Sequence, residues 1–349
     1  MKTAPVTTAL LFASLFAATA ARADEPKTYL PDEVKGAATK QKGWDGSLVL
    51  GASTSLAQNS NVVGVTDGIA WSFGAQVAGL LEYRGGQSEW TNSLKLGETY
   101  SYTTALDEFV KTVDELAWKS TYLYHIRQIP WLGPFAELKL KTSILPGYDF
   151  QAEEHEYLVQ RLDGTTDPGL IQRKYRLSDP FRPLHIEEAV GAFAKPLDKE
   201  SIKLEAKLGF GGKHIFAADQ FAVDKLDKDK KQVFIKELDD VHQGGPAVSV
   251  SAKGSLYEKR VTYYGLAELM FPLINNQAES DERNAAELTN VLLEAGLTFK
   301  LVSWASLDYV FKAIREPQLL DRWQIQNNLL LTFSYTLVKA KAEEKKPAK

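Results

Sequence analysis

Hydrophobic and polar residues alternate one by one along most of this chain. From Ser47 to Leu56 the even positions are Leu48, Leu50, Ala52, Thr54 and Leu56, against Ser47, Val49, Gly51, Ser53 and Ser55. Further on, Trp71, Phe73, Ala75, Val77, Gly79, Leu81 and Tyr83 alternate with Ser72, Gly74, Gln76, Ala78, Leu80, Glu82 and Arg84. Ala136, Leu138, Leu140 and Ile144 stand against Glu137, Lys139, Lys141 and Ser143, and Ile202, Leu204, Ala206, Leu208 and Phe210 against Lys203, Glu205, Lys207, Gly209 and Gly211. A repeat of two is the period of a strand, whose successive side chains point to opposite sides; a helix would repeat at 3.6. The runs predict twelve strands, at 46–56, 69–84, 89–102, 113–126, 134–145, 184–195, 201–215, 247–257, 261–272, 288–301, 304–315 and 324–338. The piece 232–238, Gln-Val-Phe-Ile-Lys-Glu-Leu, either extends a hairpin within a loop or forms an extra strand.

The connections alternate in length. Residues 84–88, 196–200, 257–260 and 302–303 are tight turns, and 127–133 is intermediate. Between them fall 57–68, 103–112, 146–183, 216–246, 273–287 and 316–323. Short turns on one side and long loops on the other are the habit of outer-membrane barrels, whose strand number is even in single-chain bacterial examples. With both termini on the short-turn side, the segment 24–45 and the charged tail 339–349 are expected to be periplasmic. The barrel itself is expected over 46–338.

Aromatic residues add to this picture. Trp44, Trp71, Trp90, Trp118, Trp131, Trp304 and Trp323 all fall near predicted strand ends or in connections. Trp71, Tyr83, Trp90, Trp118, Tyr124, Trp304 and Tyr335 are expected to form girdles, because indole and phenol rings favour the boundary between lipid tails and water.

The beginning of the chain reads as a secretory signal peptide over 1–23. Lys2 is followed by the apolar run Ala9 to Ala18 and by Ala21-Arg22-Ala23, a small-x-small cleavage pattern. Cleavage removes two basic side chains and no acid, leaving 39 basic against 45 acidic residues. That acidity speaks against a nucleic-acid partner. There is no cysteine, so disulfides, thiolate zinc sites and cysteine nucleophiles are excluded.

Alternation does not say which face is buried. Export, the strand number and the charges at mid-strand favour the inverted arrangement, apolar face to lipid and polar face to a lumen. Lipids are then the expected partners, with small solutes if the lumen is open. Leu80, Leu266 and Leu330 fall on polar faces and Glu188 on an apolar one, which places Glu188 near the headgroups, where a charge costs little.

Three stretches carry a resemblance. They are Tyr83-Arg-Gly-Gly-Gln-Ser-Glu-Trp-Thr-Asn-Ser-Leu94, Lys111-Thr-Val-Asp-Glu-Leu116 and Pro146-Gly147-Tyr148. In these the chain resembles a family of bacterial outer-membrane barrels of the Bacteroidetes type, catalogued as a domain of unknown function. The resemblance spans 44–338 and is loosest at 216–260. It implies the fold and the location and no activity. The family often carries a Trp with paired glycines in its first long loop, and Asn59 to Gly68 has no Trp.

Candidate chemistry is sparse. There is no nucleophile elbow, zinc-protease helix or P-loop. Gly209-Phe210-Gly211-Gly212 lies within a strand and reads as small lumen residues. Asp224, Asp227, Asp229 and Glu237 lack calcium-loop spacing and read as a solvated loop. No cofactor, metal or catalytic residue is expected. Of His125, His155, His185, His214 and His242, only His214 falls on an apolar face. A lipid hydrolase, the remote alternative, would need a serine beside it.

The lumen charges are the best lead. Arg84, Lys95, Lys119, Lys139, Lys141, Lys203, Lys207, Lys253, Lys300 and Lys312 face Glu82, Glu137, Glu187, Glu205, Glu268, Glu294 and Asp308. The cationic excess predicts a passive pore for small, anionic solutes. The alternative is mutual neutralisation in a closed barrel that displays its long loops for binding or adhesion, since twelve strands lie between a filled barrel and an open channel.

Overall fold

The computed structural model describes residues 42–59, 68–103, 108–276 and 282–338. The predicted signal peptide and charged tail lie outside them. The described residues form seventeen strands and no helix. They are β1 (Gly43–Asn59), β2 (Gly68–Gly85), β3 (Ser88–Thr103), β4 (Glu108–Tyr124), β5 (Leu132–Thr142), β6 (Gly147–Gln160), β7 (Thr166–Ser178), β8 (Leu184–Lys199) and β9 (Ile202–Phe216). There follow β10 (Phe221–Asp227), β11 (Gln232–Glu237), β12 (Val241–Leu256), β13 (Val261–Met270), β14 (Ile274–Asn275), β15 (Asn290–Val302), β16 (Ala305–Glu316) and β17 (Leu320–Val338).

Twelve of these close into one antiparallel barrel, in the order β1-β2-β3-β4-β5-β8-β9-β12-β13-β15-β16-β17. The seam is the β1–β17 pair, from Leu48 opposite Val338 to Thr54 opposite Leu331, with a bulge after Leu48. The two-residue β14 pairs with the start of β12, beyond the β12–β13 ladder. All twelve predicted strands are present. Several run further toward the long loops than their alternation suggested: β12 starts at Val241 and β4 at Glu108.

Burial is inverted relative to a water-soluble protein. Lys207 is 8% exposed and Asp308 2%, while Leu208, the next residue after Lys207, is 63% exposed. Leu50, Phe73, Leu81, Leu94, Leu138, Val190, Phe210, Val248, Val250 and Leu293 are likewise exposed. Leaving a side chain of this size in water forgoes about 1.5–3 kcal/mol each, so a continuous belt of them calls for lipid. Leu80 and Leu330 point inward, as their place on the polar faces required.

Aromatic side chains gather at both ends of the β1–β4 wall. Trp44 packs on Tyr83 and Trp90 near the short turns, with ring centroids 5.1 and 5.6 Å away. Toward the long loops Trp71, Phe73, Tyr100, Tyr102 and Phe109 form a second group. From Trp71 to Tyr83 along β2 is about 40 Å of strand. At the usual barrel tilt that is roughly 30 Å of height, close to the thickness of a lipid core. Tyr124, Trp304 and Tyr335 are exposed, with Trp304 in the β15–β16 turn and stacked on Phe333. Trp118 differs from the rest. It sits at mid-strand, opposite Leu94 and Leu140, and not at a rim.

The remaining strands make a second sheet, ordered β10-β11-β6-β7, built from the two longest loops. The piece 232–238 resolves here: it is β11, outside the barrel wall.

Candidate functional site

Inside the barrel, the alternation of β5, β8 and β9 sends charged residues inward on one stretch of wall. Lys139 Nζ lies 2.8 Å from both carboxylate oxygens of Glu268 on β13, four strands away around the wall. It also stands 3.4 Å from Glu137 and 3.5 Å from Glu187. Lys207 reaches Glu137 at 2.6 Å and Glu205 at 3.0 Å, and Lys119 stands 3.5 Å from Glu137. Lys95 pairs with Glu115 and Lys312 with Glu294. Asp308 accepts from Ser306 Oγ. Lys203 lies near the short turns, 3.8 Å from Asp198, and Lys300 is exposed there. Lys141 faces His185 across the β5–β8 ladder. The predicted cations therefore sit mostly among carboxylates and form no unopposed ring.

The sequence reading passed over two further crossings. Near the long loops Lys213 of β9 bonds to Glu316 at the end of β16, again four strands around the wall. Gln243 adds hydrogen bonds with Gln318 at 2.7 Å and Asn290 at 2.6 Å. Near the short turns Lys195 of β8 reaches Glu89 of β3 at 3.0 Å, beside an inward apolar cluster of Leu123, Phe135 and Phe193. Continuing the odd-numbered face of β9 to position 213 would have found that lysine; its partner is fixed only by closure. On the wall opposite the charges, Ser47, Val49, Gly51, Ser53, Gly74, Gln76 and Ala78 line up on β1 and β2. There Gln76 is 3% exposed, and Thr332 of β17 is 1%.

Outside the barrel, β6 and β11 pair in parallel, from Gln232 opposite Glu156 to Lys236 opposite Gln160. This joins the loop between β5 and β8 to the loop between β9 and β12. The alternate residues Tyr157, Val159, Val233 and Ile235 form a buried core, covered by Tyr175, Leu177, Phe221, Val223 and Leu226. The sheet curls, and Tyr175 of β7 meets Phe221 of β10 edge-on at 6.0 Å. Glu237 clasps the hairpin tip, accepting from Arg161 at 3.3 Å and from the Leu162 amide at 3.1 Å. Gln232 donates to Glu156 at 2.7 Å, and Lys231 pairs with Glu153. Burial, together with the nearby Asp149 carboxylate that accepts its hydroxyl at 2.9 Å, raises the pKa of Tyr157. In the β6–β7 hairpin Leu162 at the turn and Leu170 and Ile171 within β7 stand exposed, Ile171 at 71%.

His214 lies on the outer wall near the long loops. Its ring nitrogens meet Glu188 at 3.1 Å and His242 at 3.0 Å, and no serine hydroxyl bonds to it among the described residues.

A closed antiparallel barrel with an apolar exterior and a charged interior defines the class: a transmembrane β-barrel of the outer-membrane type. No family model matches the chain, and no curated protein does. Among solved structures, it is similar to an outer-membrane channel from Pseudomonas putida F1, at 11% identity over 88% of this chain and 99% of that one, with a TM-score of 0.39. It is also similar to the β-domain of the Bordetella autotransporter BrkA, at 13% identity over 84% and 99%, with a TM-score of 0.35. A third is the outer-membrane channel DcaP of Acinetobacter baumannii, at 9% identity over 84% and 98%, with a TM-score of 0.32.

Proposed function

We propose that this protein is a bacterial outer-membrane barrel whose lumen is held closed and whose working part is the folded β-unit carried on its loops, presented outside the cell to bind a partner. The observation that carries this reading is the parallel β6–β11 pair, which turns two long loops into one sheet with its own core. Loops that merely border a pore do not require a core of their own. The three levels of side chains crossing the lumen support the same reading, because each spans several strands and narrows any path for solutes. The exposed Leu162, Leu170 and Ile171 of the β6–β7 hairpin are the expected contact residues, since an apolar group held out in water gains by being covered.

A passive pore remains the second reading. Lys119 and Glu187 keep about a third of their side chains accessible, which suits a narrow wet path along the charged wall. Paired charges of both signs would give such a path little ion preference.

Single-channel recording on the refolded protein in a planar bilayer tests the two. Silence from inserted, folded protein is the expected outcome, with binding to a cell or matrix surface that is lost when Leu162, Leu170 and Ile171 are changed to serine. Stable uniform conductance steps would overturn the closed barrel and restore the pore.

A further inference from the structure

The histidine that sequence alone left unexplained belongs to a built group on the outer wall. His214 of β9 and His242 of β12 are directly opposed across the ladder, and both point outward. Their Nδ1 atoms lie 3.0 Å apart. His214 Nε2 lies 3.1 Å from Glu188 Oε1 on β8. A carboxylate accepts only, so His214 carries a proton on Nε2, and in its neutral form it keeps a lone pair on Nδ1. That lone pair is aimed at His242, whose own Nδ1 supplies the shared hydrogen. Phe216 closes one side, its ring edge-on to that of His242 at 5.6 Å. Gly212 leaves the space that Glu188 occupies, for a Cβ there would fall 2.2 Å from Oε1.

We propose that His214 and His242 form a two-nitrogen site for a borderline divalent transition metal, Zn²⁺ or Cu²⁺, on the outer wall beside the long loops. Two imidazole nitrogens bound at 2.0–2.1 Å around a tetrahedral ion stand about 3.3 Å apart, so the pair needs to open by a few tenths of an ångström and each ring to tilt so that the two lone pairs, which now face each other with ring centroids 5.2 Å apart, converge on the ion. The bound ion replaces the shared hydrogen. His242 moves that proton to its Nε2, so both rings stay neutral and both Nδ1 lone pairs meet the metal. Glu188 then holds the outer nitrogen of a ligating histidine, the arrangement that fixes ring orientation and raises ligand basicity in metal sites. The remaining positions are left to water. Among the described residues no group of three or more acidic or imidazole ligands is gathered, so the site is an open one that holds its ion by the histidine pair.

The test uses the full barrel in detergent, prepared without a histidine tag, titrated with Zn²⁺ by calorimetry and with Cu²⁺ by electron paramagnetic resonance. One equivalent should bind, with Cu²⁺ showing two equatorial nitrogens. His242→Ala should weaken binding at least tenfold and remove one nitrogen from the spectrum. Glu188→Gln, and separately Gly212→Ala, should weaken it about 10- to 100-fold with both nitrogens retained, the signature of a positioning role. Heat-modified migration on gels confirms that each variant is folded. No binding by the parent, or binding unchanged by His242→Ala and so held by His125, His155 or His185, overturns the proposal.

Discussion

Tyr157 shows how one residue reports on the loop-borne unit. Its ring is fully buried, and its hydroxyl donates to Asp149. Burial first, and the neighbouring carboxylate second, oppose its ionisation and raise its pKa above the usual value near 10. The folded unit thus holds this proton at a pH where the unfolded chain releases it. Stability is unaffected below the unfolded value and falls as pH climbs past it. Hydrogen exchange across 147–160 should therefore accelerate above pH 10 in the parent, and this added dependence should vanish in Tyr157→Phe. The same variant should lose about 1 kcal/mol at neutral pH for the missing hydrogen bond. Identical exchange profiles for the two proteins would contradict this account. Sequence gave little warning here, because Tyr157 sits in a stretch, Gln151 to Gln160, where charged residues blur the alternation. The lumen charges of β5 were easier to find, since Glu137, Lys139 and Lys141 fall in strict alternation with Ala136, Leu138 and Leu140.

Among the elements, the barrel strands were legible because each holds one apolar face to lipid over ten or more residues, which stamps a period of two on the sequence. The strands β6, β7 and β10 lack that constraint. Their core is small and their outer face solvated, so charge falls on both sides; β11, with Val233 and Ile235 buried, was the one visible beforehand. Its partner was not visible, as the pairing joins segments some 76 positions apart and depends on β8 and β9 lying between them in the wall. The absence of native cysteine makes this pairing directly testable. Leu158 and Phe234 are register partners flanked by the core residues, and alternation puts them on the opposite face. With Leu158→Cys and Phe234→Cys together, mild oxidation should link the two loops in nearly every molecule, and a protease cut between β6 and β8 should then leave the link intact. A displaced pair, Leu158→Cys with Lys230→Cys, should not link. Equal cross-linking of both pairs would mean that the loops meet only by chance.

At the scale of the whole molecule, the outer wall and the lumen are set by different rules. The wall needs only apolar residues of suitable size, which composition and period reveal. The lumen depends on which residues meet across it, and closure alone decides that: Lys139 finds Glu268 some 129 positions away. If these crossings keep the barrel shut, removing the cations should open it and bias it toward cations at once. Lys139→Ala with Lys207→Ala leaves Glu137 with Lys119 as its one remaining cation among these contacts and strips Glu268 of its 2.8 Å partner. The carboxylates that remain are worth more to a passing cation than to an anion. Bilayers holding the double variant should therefore show steps where the parent is silent, with a reversal potential in a salt gradient displaced toward the cation value. Changing Glu137 and Glu268 to glutamine together should open the barrel as well but displace the potential the other way. Opposite signs from the two pairs would establish that the same crossings both shut the lumen and set its charge. Silence from both folded variants would shift the closure to the apolar floor of Leu123, Phe135 and Phe193, whose three side chains both pairs leave in place.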